Sequence, residues 1–309
     1  MISKNNIGNI YKADEWSNKV LLNEEEYDNY FLFQNKLQRY NLTLKIIYRG
    51  ESRADFIKKI SKQKSASDQV IPYSTFFIIG SKAKSYFQDK SLQYPSIKHF
   101  NSLNFIDTIF AKLKVIEQSK QINLNGISKS EFKAKIENIK NESIQKIILN
   151  YYISILHTNT SEVAELKLYS NLISCTFNKE IADSYSDDGF IICFWLNNPV
   201  ETEGINFENL RYYQKQLDQF GLPSIAHGLH PNEREISIFS AIFPHRILYV
   251  EDKKSGEFIV NPHIFRKDNI TAIKNGLQID QSDFPQKIEG IYDAFIWKSN
   301  KSIISEEFR

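Results

Sequence analysis

The side chains best suited to chemistry lie in three short, largely apolar segments. The first segment contains Arg49, the second contains Ser174 and Thr176, and the third begins with Glu233 and Glu235. A guanidinium suits phosphate recognition because of its planar fork. A carboxylate can stabilise positive charge that develops in a transition state. Together the segments supply one fixed cation, a pair of hydroxyls and a pair of carboxylates.

Each of these segments has the alternation of a β-strand. They are Leu44–Gly50 (LKIIYRG), Leu172–Phe177 (LISCTF) and Glu233–Ser240 (EREISIFS). Successive side chains of a strand point to opposite faces. The residues predicted to share a face are, segment by segment, Lys45, Ile47 and Arg49; Ser174 and Thr176; and Glu233, Glu235 and Ser237. Each strand thus has apolar residues for a core and polar residues to line a cleft.

The Glu-x-Glu pattern also occurs at Glu24 and Glu26 and at Glu201 and Glu203. The first pair precedes the arginine segment, and the second follows an Asn-Asn-Pro sequence that is typical of a loop. Only the pair that begins at Glu233 leads into an alternating strand. We therefore assign the candidate carboxylates to that pair.

The order of the three motifs resembles the R-S-E class of mono-ADP-ribosyltransferases, which includes many bacterial toxins and effectors. The matching residues are Tyr48-Arg49-Gly50, Ser174-Cys175-Thr176 and Glu233-Arg234-Glu235. The likeness covers Leu44–Gly50 and Tyr169–Val260. The chain departs from the family in two ways: Ser-Cys-Thr replaces Ser-Thr-Ser, and the helical block after the arginine is longer than usual.

The resemblance implies NAD as co-substrate and a role for each matched residue. Glu235 is implied to be catalytic, bonding the nicotinamide ribose 2′-hydroxyl and stabilising an oxocarbenium-like transition state. Arg49 is implied to bind an NAD phosphate or ribose. Ser174 is implied to orient the ribose and the catalytic carboxylate, with Thr176 as a lesser candidate for the same NAD site.

In relatives with a glutamate at the position of Glu233, the acceptor is typically an arginine, whose guanidinium this residue engages. Two carboxylates in one cleft suit a guanidinium electrostatically. The segment Gly221–Asn232 (GLPSIAHGLHPN) corresponds to the family's substrate-contacting loop, and its Gly, Pro and Asn content is typical of a recognition loop.

The resemblance therefore implies an NAD-dependent protein-arginine mono-ADP-ribosyltransferase, a bacterial effector or toxin that acts inside another cell. Its partner is then a target protein that presents an arginine. Two alternatives stay open: an NAD glycohydrolase, in which water replaces the protein acceptor, and a non-catalytic interaction module on the same fold.

The helix-rich first half and strand-rich second half predict an α+β fold. The resemblance narrows this to an ADP-ribosyltransferase-like split β-sandwich with a large helical insertion. The expected divisions are an N-terminal helical segment (1–43), the first strand of the catalytic core (44–51), a helical block (52–160), the catalytic core (161–265) and a C-terminal extension (266–309).

The 309 residues carry a formal net charge of +2, which does not indicate nucleic acid as a partner. The sequence contains no apolar run long enough for a membrane span, and its N-terminus lacks the apolar core of a signal peptide. We expect synthesis in the cytoplasm, with specialised secretion machinery as the route of any export.

Other candidate sites are weaker. His227-x-x-His230 has a spacing seen in metal sites, but no third ligand lies nearby, so a pair of loop histidines is the preferred interpretation and no metal is expected. Cys175 and Cys193 lack a base partner and are interpreted as buried structural thiols. No Rossmann or P-loop motif is present.

Overall fold

The computed structural model describes residues 1–6, 8–13, 19–39, 44–61, 76, 105–118, 122–158, 172–197, 200–202, 204–225, 232–239, 242 and 246–262. The expected C-terminal extension (266–309) lies outside these residues, as do large parts of the expected helical block (52–160).

The chain divides into two compact units. The first comprises Met1–Ser81, Cys175–Thr202 and Ile242–Arg309, and the second comprises Lys82–Ser174 and Glu203–Ala241. One of the four boundaries between these segments falls between Ser174 and Cys175, within a strand that the sequence predicts.

The described residues contain nine strands. They are β1 (Ile10–Ala13), β2 (Lys19–Leu21), β3 (Leu44–Glu51), β4 (Leu172–Thr176), β5 (Phe190–Asn197), β6 (Gly204–Asn206), β7 (Glu235–Phe239), β8 (Ile247–Asp252) and β9 (Glu257–Val260). In the first unit the strand order is β2-β1-β9-β8-β5-β3-β4, and in the second unit it is β4-β7-β6. The pairs β1–β2, β3–β4, β3–β5, β5–β8, β6–β7 and β8–β9 are antiparallel, and β1–β9 is parallel.

Seven α-helices occur in the same described ranges. They are α1 (Glu24–Arg39), α2 (Arg53–Ser61), α3 (Phe105–Gln118), α4 (Lys129–Glu137), α5 (Glu142–Thr158), α6 (Lys179–Ser184) and α7 (Leu210–Asp218). The architecture is thus mixed α and β with mostly antiparallel strands, which is compatible with the expected α+β class.

The first unit is built around β5, whose sequence FIICFWL is apolar at successive positions and so predicts a central strand with both faces buried. Phe190, Ile191, Cys193 and Phe194 have no exposed surface. Strand β3 pairs with one side of β5 and β8 with the other. Because both edges of β5 are paired and most of its side chains are buried, β5 fixes the position of β3, the strand that contains Arg49, along the whole length of β3.

Helix α6 packs directly on β3. A Cβ at Gly50 would lie 2.0 Å from the carbonyl oxygen of Ala182, so only glycine allows this approach. Asn178 caps the helix by accepting a hydrogen bond from the backbone N–H of Glu180. The residue after Arg49 therefore determines how closely the short helix after β4 approaches the arginine strand.

The second unit has its own core, formed by α3, α4, α5 and α7. Leu113, Phe132, Ile136, Tyr152 and Leu217 have no exposed surface. The apolar spacing in the sequence predicts α3, α4 and α5. Ser128 caps α4 by accepting a hydrogen bond from the backbone N–H of Glu131. These helices form the scaffold of the unit that contains Ser174 and the Glu-x-Glu pair.

The strands predicted at Leu44–Gly50, Leu172–Phe177 and Glu233–Ser240 are confirmed within two residues of their expected ends. The structure adds β1 and β2 to the expected helical segment 1–43, and it adds β6 before α7. These strands have three or four residues each, so their local pattern is too short to reveal a period. In the described helices, no segment combines the length and apolar character needed to cross a membrane.

Candidate active site

Strand β7 places Glu235 and Ser237 side by side. The two residues lie two positions apart on one strand and therefore share a face. Glu235 is 9% exposed and Ser237 is fully buried. The Ser237 hydroxyl donates a hydrogen bond to Oε1 of Glu235 over 3.3 Å. The alternation predicted for these two residues is confirmed.

Ser174 lies on β4, the neighbour of β7 in the second unit. Its side chain is hydrogen-bonded to the Glu235 carboxyl. Two serine hydroxyls, one from each strand, therefore contact the same buried acid. The sequence alone does not show that β4 and β7 are neighbours, because that pairing joins segments far apart along the chain.

Burial is the main influence on the Glu235 carboxyl. The pKa of Glu235 is raised to about 7 because burial, and to a smaller extent the negative charge of Glu233, outweigh the hydrogen bonds from Ser174 and Ser237 that lower it. The group therefore changes its charge near neutral pH. A titrating, hydrogen-bonded acid with little exposure is typical of a catalytic carboxyl.

Glu233 does not lie where the sequence predicts. The expected strand began at Glu233, but β7 begins at Glu235, and Arg234 has a left-handed backbone with φ of 49°. The prediction that Glu233 shares a strand face with Glu235 is therefore wrong, because alternation requires an extended residue between them. Glu233 is nevertheless near enough for its charge to act on Glu235.

The side chain of Arg234 binds Glu208, a residue that the sequence analysis missed. Its Nε lies 2.5 Å from Oε1 of Glu208, and its Nη2 lies 3.2 Å from Oε2. Glu208 belongs to the 3-10 turn Phe207–Asn209, which precedes α7. No local pattern in the sequence indicates this pair, since 26 positions separate its members.

Arg49 and Thr176 belong to the first unit, whereas Ser174, Glu233 and Glu235 belong to the second. Arg49 is partly buried on β3, and its Nη2 donates a hydrogen bond to Oε2 of Glu51 over 3.1 Å. Glu51 is 8% exposed and was also missed by the sequence analysis. Arg49 and Glu51 lie two positions apart on one strand, so a signal for the pair was present in the alternation.

Thr176 has a local structural contact. Its hydroxyl oxygen accepts a hydrogen bond from the backbone N–H of Asn178 over 3.0 Å, in the turn that leads into α6. Tyr48 is paired with Thr176 in the β3–β4 ladder, which places the ends of these strands side by side within the first unit. The expected contact of Thr176 with NAD stays a prediction.

The described part of the expected recognition loop is anchored to α5. The Tyr152 hydroxyl donates to the carbonyl oxygen of Pro223 over 2.7 Å, and the backbone N–H of Ile225 donates to the Tyr151 hydroxyl over 2.9 Å. Residues 226–231, which include His227 and His230, lie outside the described residues. The two tyrosines fix the point at which the loop leaves the core.

The other Glu-x-Glu pairs do not lie on strands where the structure describes them. Glu24 and Glu26 are in the first turn of α1, and Glu201 is in the 3-10 turn Val200–Thr202. Glu203 lies outside the described residues. This placement supports the choice of the pair next to β7.

Cys175 and Cys193 are free and buried, as the sequence predicts. Burial raises the pKa of the Cys193 thiol to about 11, so the thiol stays protonated at neutral pH and is a poor nucleophile. Among the residues that the structure describes, no group of three or more His, Cys, Asp or Glu side chains is arranged to hold a metal ion.

The arrangement in the second unit is suited to stabilising a developing cation. A carboxylate that is largely removed from water interacts more strongly with nearby positive charge than an exposed one does. The two serine hydroxyls hold the carboxyl in one orientation, and Glu233 adds a second negative charge. No protein-family model matches the chain and no curated protein matches it, so a functional assignment rests on these residues.

Proposed function

We propose that the protein is an NAD-dependent protein-arginine mono-ADP-ribosyltransferase with an ADP-ribosyltransferase-like split β-sandwich, acting as a bacterial effector or toxin inside another cell. The observation that supports this best is the buried Glu235 carboxyl at the start of β7, hydrogen-bonded by Ser174 and Ser237. The order of the arginine, serine and glutamate motifs adds to it.

In the proposed reaction, the bond between C1′ of the ribose and the nicotinamide nitrogen breaks, and nicotinamide leaves with the bonding electrons as a neutral molecule. The ribose acquires oxocarbenium character, which the ionised Glu235 stabilises. Ser174 and Ser237 hold the carboxylate in place. Arg49 binds a phosphate or ribose of NAD, for which its guanidinium geometry is suited.

A guanidinium nitrogen of the target arginine then attacks C1′ and loses a proton to solvent. Glu233 binds that guanidinium through charge-assisted hydrogen bonds. Glu233 is partly exposed, whereas Glu235 is buried. This difference supports separate roles, with the exposed carboxylate for the acceptor and the buried one for the ribose.

Nicotinamide release from NAD by the purified protein tests the proposal. The wild type, Glu235→Gln and the control Glu24→Gln are compared with and without host-cell lysate that contains labelled NAD. Glu24 is the exposed first residue of another Glu-x-Glu pair, on α1. Glu24→Gln therefore makes the same carboxylate-to-amide change outside the candidate site. Release that requires Glu235, with label on a discrete protein, supports the transferase.

Other outcomes favour the alternatives. Release without labelling of any protein indicates an NAD glycohydrolase. A wild type that releases no nicotinamide in either condition contradicts the enzymatic proposal and favours a non-catalytic interaction module.

A further inference from the structure

Arg234, the residue between the two glutamates, has an unusual backbone for its type. Its φ is 49°, in the left-handed region that L residues other than Asn and Asp rarely adopt. Arginine has no short polar side chain to stabilise this conformation locally. Contacts from elsewhere in the fold must therefore favour it.

The contact with Glu208 is suited to that role. Two nitrogens of the Arg234 fork face Glu208, with Nε bonded to one carboxylate oxygen and Nη2 to the other. Such two-point pairs restrict orientation as well as distance. The pair therefore restricts the direction in which the chain approaches β7.

Glu208 is itself held by the strand next to β7. Asn206, at the end of β6, is paired with Ile236 of β7, and its Oδ1 accepts a hydrogen bond from the backbone N–H of Glu208 over 3.1 Å. The backbone N–H of Asn206 donates to the Tyr213 hydroxyl over 2.9 Å. The position of the Glu208 carboxylate thus follows from the β6–β7 ladder and from α7.

We propose that Glu208 and Arg234 are positioning residues that hold the bend before β7, keep Glu233 beside Glu235, and so favour a guanidinium acceptor over water. This inference rests on the proposed function. Neither residue of the pair is proposed to touch NAD or the acceptor. The pair affects the choice of acceptor only because it fixes the position of Glu233.

The opposing expectation is that an exposed ion pair contributes little to the position of the chain around it. The side chains of Arg234 and Glu208 are 51% and 37% exposed, and exposed pairs are commonly weak. Loss of the pair would then change neither the acceptor preference nor the environment of Glu235. The two expectations differ in measurable ways.

The test compares wild type, Glu208→Gln and Glu137→Gln with agmatine, a small guanidine, as the acceptor. Glu137 forms a surface ion pair with Lys133 in the same unit and is the matched control. We expect Glu208→Gln to lower the ratio of agmatine modification to NAD hydrolysis about tenfold, through a higher KM for agmatine, and Glu137→Gln to leave the ratio unchanged. Reversal of the pair, Glu208→Arg with Arg234→Glu, is expected to restore part of the ratio.

A second readout does not need activity. The negative charge of Glu233 raises the pKa of Glu235, so a displaced Glu233 lowers the titration midpoint of that carboxyl. NMR titration of Glu235 is expected to show the midpoint move to lower pH in Glu208→Gln, in the same direction as in Glu233→Gln. A folded Glu208→Gln with an unchanged ratio and an unchanged midpoint overturns the inference.

Failure of the proposed function has a different signature. If the wild type releases no nicotinamide, the part of the inference that concerns the acceptor fails. NMR titration of Glu235 still tests whether the Glu208–Arg234 pair positions Glu233. A wild type that hydrolyses NAD but modifies neither agmatine nor arginine in a polypeptide overturns the specificity half of the inference alone.

Discussion

The Ser237 hydroxyl donates a hydrogen bond to Oε1 of Glu235 over 3.3 Å on the buried face of β7. Since Ser237 is fully buried, this bond is shielded from competing water. A buried carboxyl held in this way combines a fixed orientation with a pKa near 7, and these two properties lead to the first predictions.

Nicotinamide release is expected to rise with pH around a midpoint near 7, because the ionised Glu235 is the active form and its pKa is raised to about 7. Glu233→Gln removes a negative charge that raises this pKa, so the midpoint should move to lower pH. The check is kcat/KM for NAD, which reports the protein without bound NAD, measured from acidic to mildly alkaline pH. A flat profile in the wild type contradicts the assignment.

Glu235→Gln should increase the stability of the fold at alkaline pH. The pKa of Glu235 is raised from 4.5 to about 7 in the folded state, so the folded protein holds this proton more tightly than the unfolded chain between those values. The free energy of unfolding therefore falls as the pH rises through that window. The neutral amide avoids this loss. The free energy of unfolding of Glu235→Gln should therefore exceed that of the wild type by up to about 3 kcal/mol at a pH of about 8, and the two should be equal at about 4.

Urea unfolding at both pH values, with Glu24→Gln as the exposed control, measures that gain. An equal difference between wild type and Glu235→Gln at the acidic and the alkaline pH would show that burial of the charge is not its cause.

Ser237→Ala should move the titration midpoint of Glu235 to higher pH, because the hydrogen bond from Ser237 lowers the pKa of this carboxyl. The loss of a buried hydrogen bond should also reduce the free energy of unfolding by about 1 kcal/mol. NMR titration and urea unfolding test the two effects. Ser184→Ala, which changes an exposed hydroxyl on α6, serves as the control and should leave the midpoint unchanged.

Gly50→Ala should strongly destabilise the first unit, by about 3 kcal/mol or more, because the new methyl group would overlap the Ala182 carbonyl. Its Cβ would lie 2.0 Å from that oxygen. Gly256→Ala is the comparison, since its surroundings are open and only its φ of +71° opposes the change. That variant should lose about 1 kcal/mol in urea unfolding. Equal losses in both variants would argue against the close packing of α6 on β3.

Arg49→Lys should weaken the use of NAD, because an ammonium does not reproduce the planar fork of the guanidinium. We expect KM for NAD to rise about tenfold with a smaller change in kcat. Lys45→Ala, an exposed change on the same strand, is the control. An unchanged KM in Arg49→Lys would contradict the expected role of the guanidinium fork in NAD binding.

Local patterns were enough to find the strands that hold the candidate residues. The alternation in LISCTF and EREISIFS and the apolar run FIICFWL predict β4, β7 and β5, because side-chain period is a property of neighbouring residues. The caps that the structure shows at Ser128 and Asn178 are likewise contacts between residues two or three positions apart. Strand β1 was missed, since its pairing with β9 joins Tyr11 to Ile259 across most of the chain.

The sequence by itself determined the residue types of the candidate site, the strands on which Ser174 and Glu235 lie, and the apolar residues on the opposite faces of those strands. Only the tertiary structure decided that the two serines share one carboxyl, that this carboxyl titrates near neutral pH, and that Arg234 bends the chain toward Glu208. The physical reason is the separation of the interacting residues along the chain. Alternation and capping depend on residues a few positions apart. Burial, charge coupling and the Glu208–Arg234 pair depend on segments that meet only when the chain is folded.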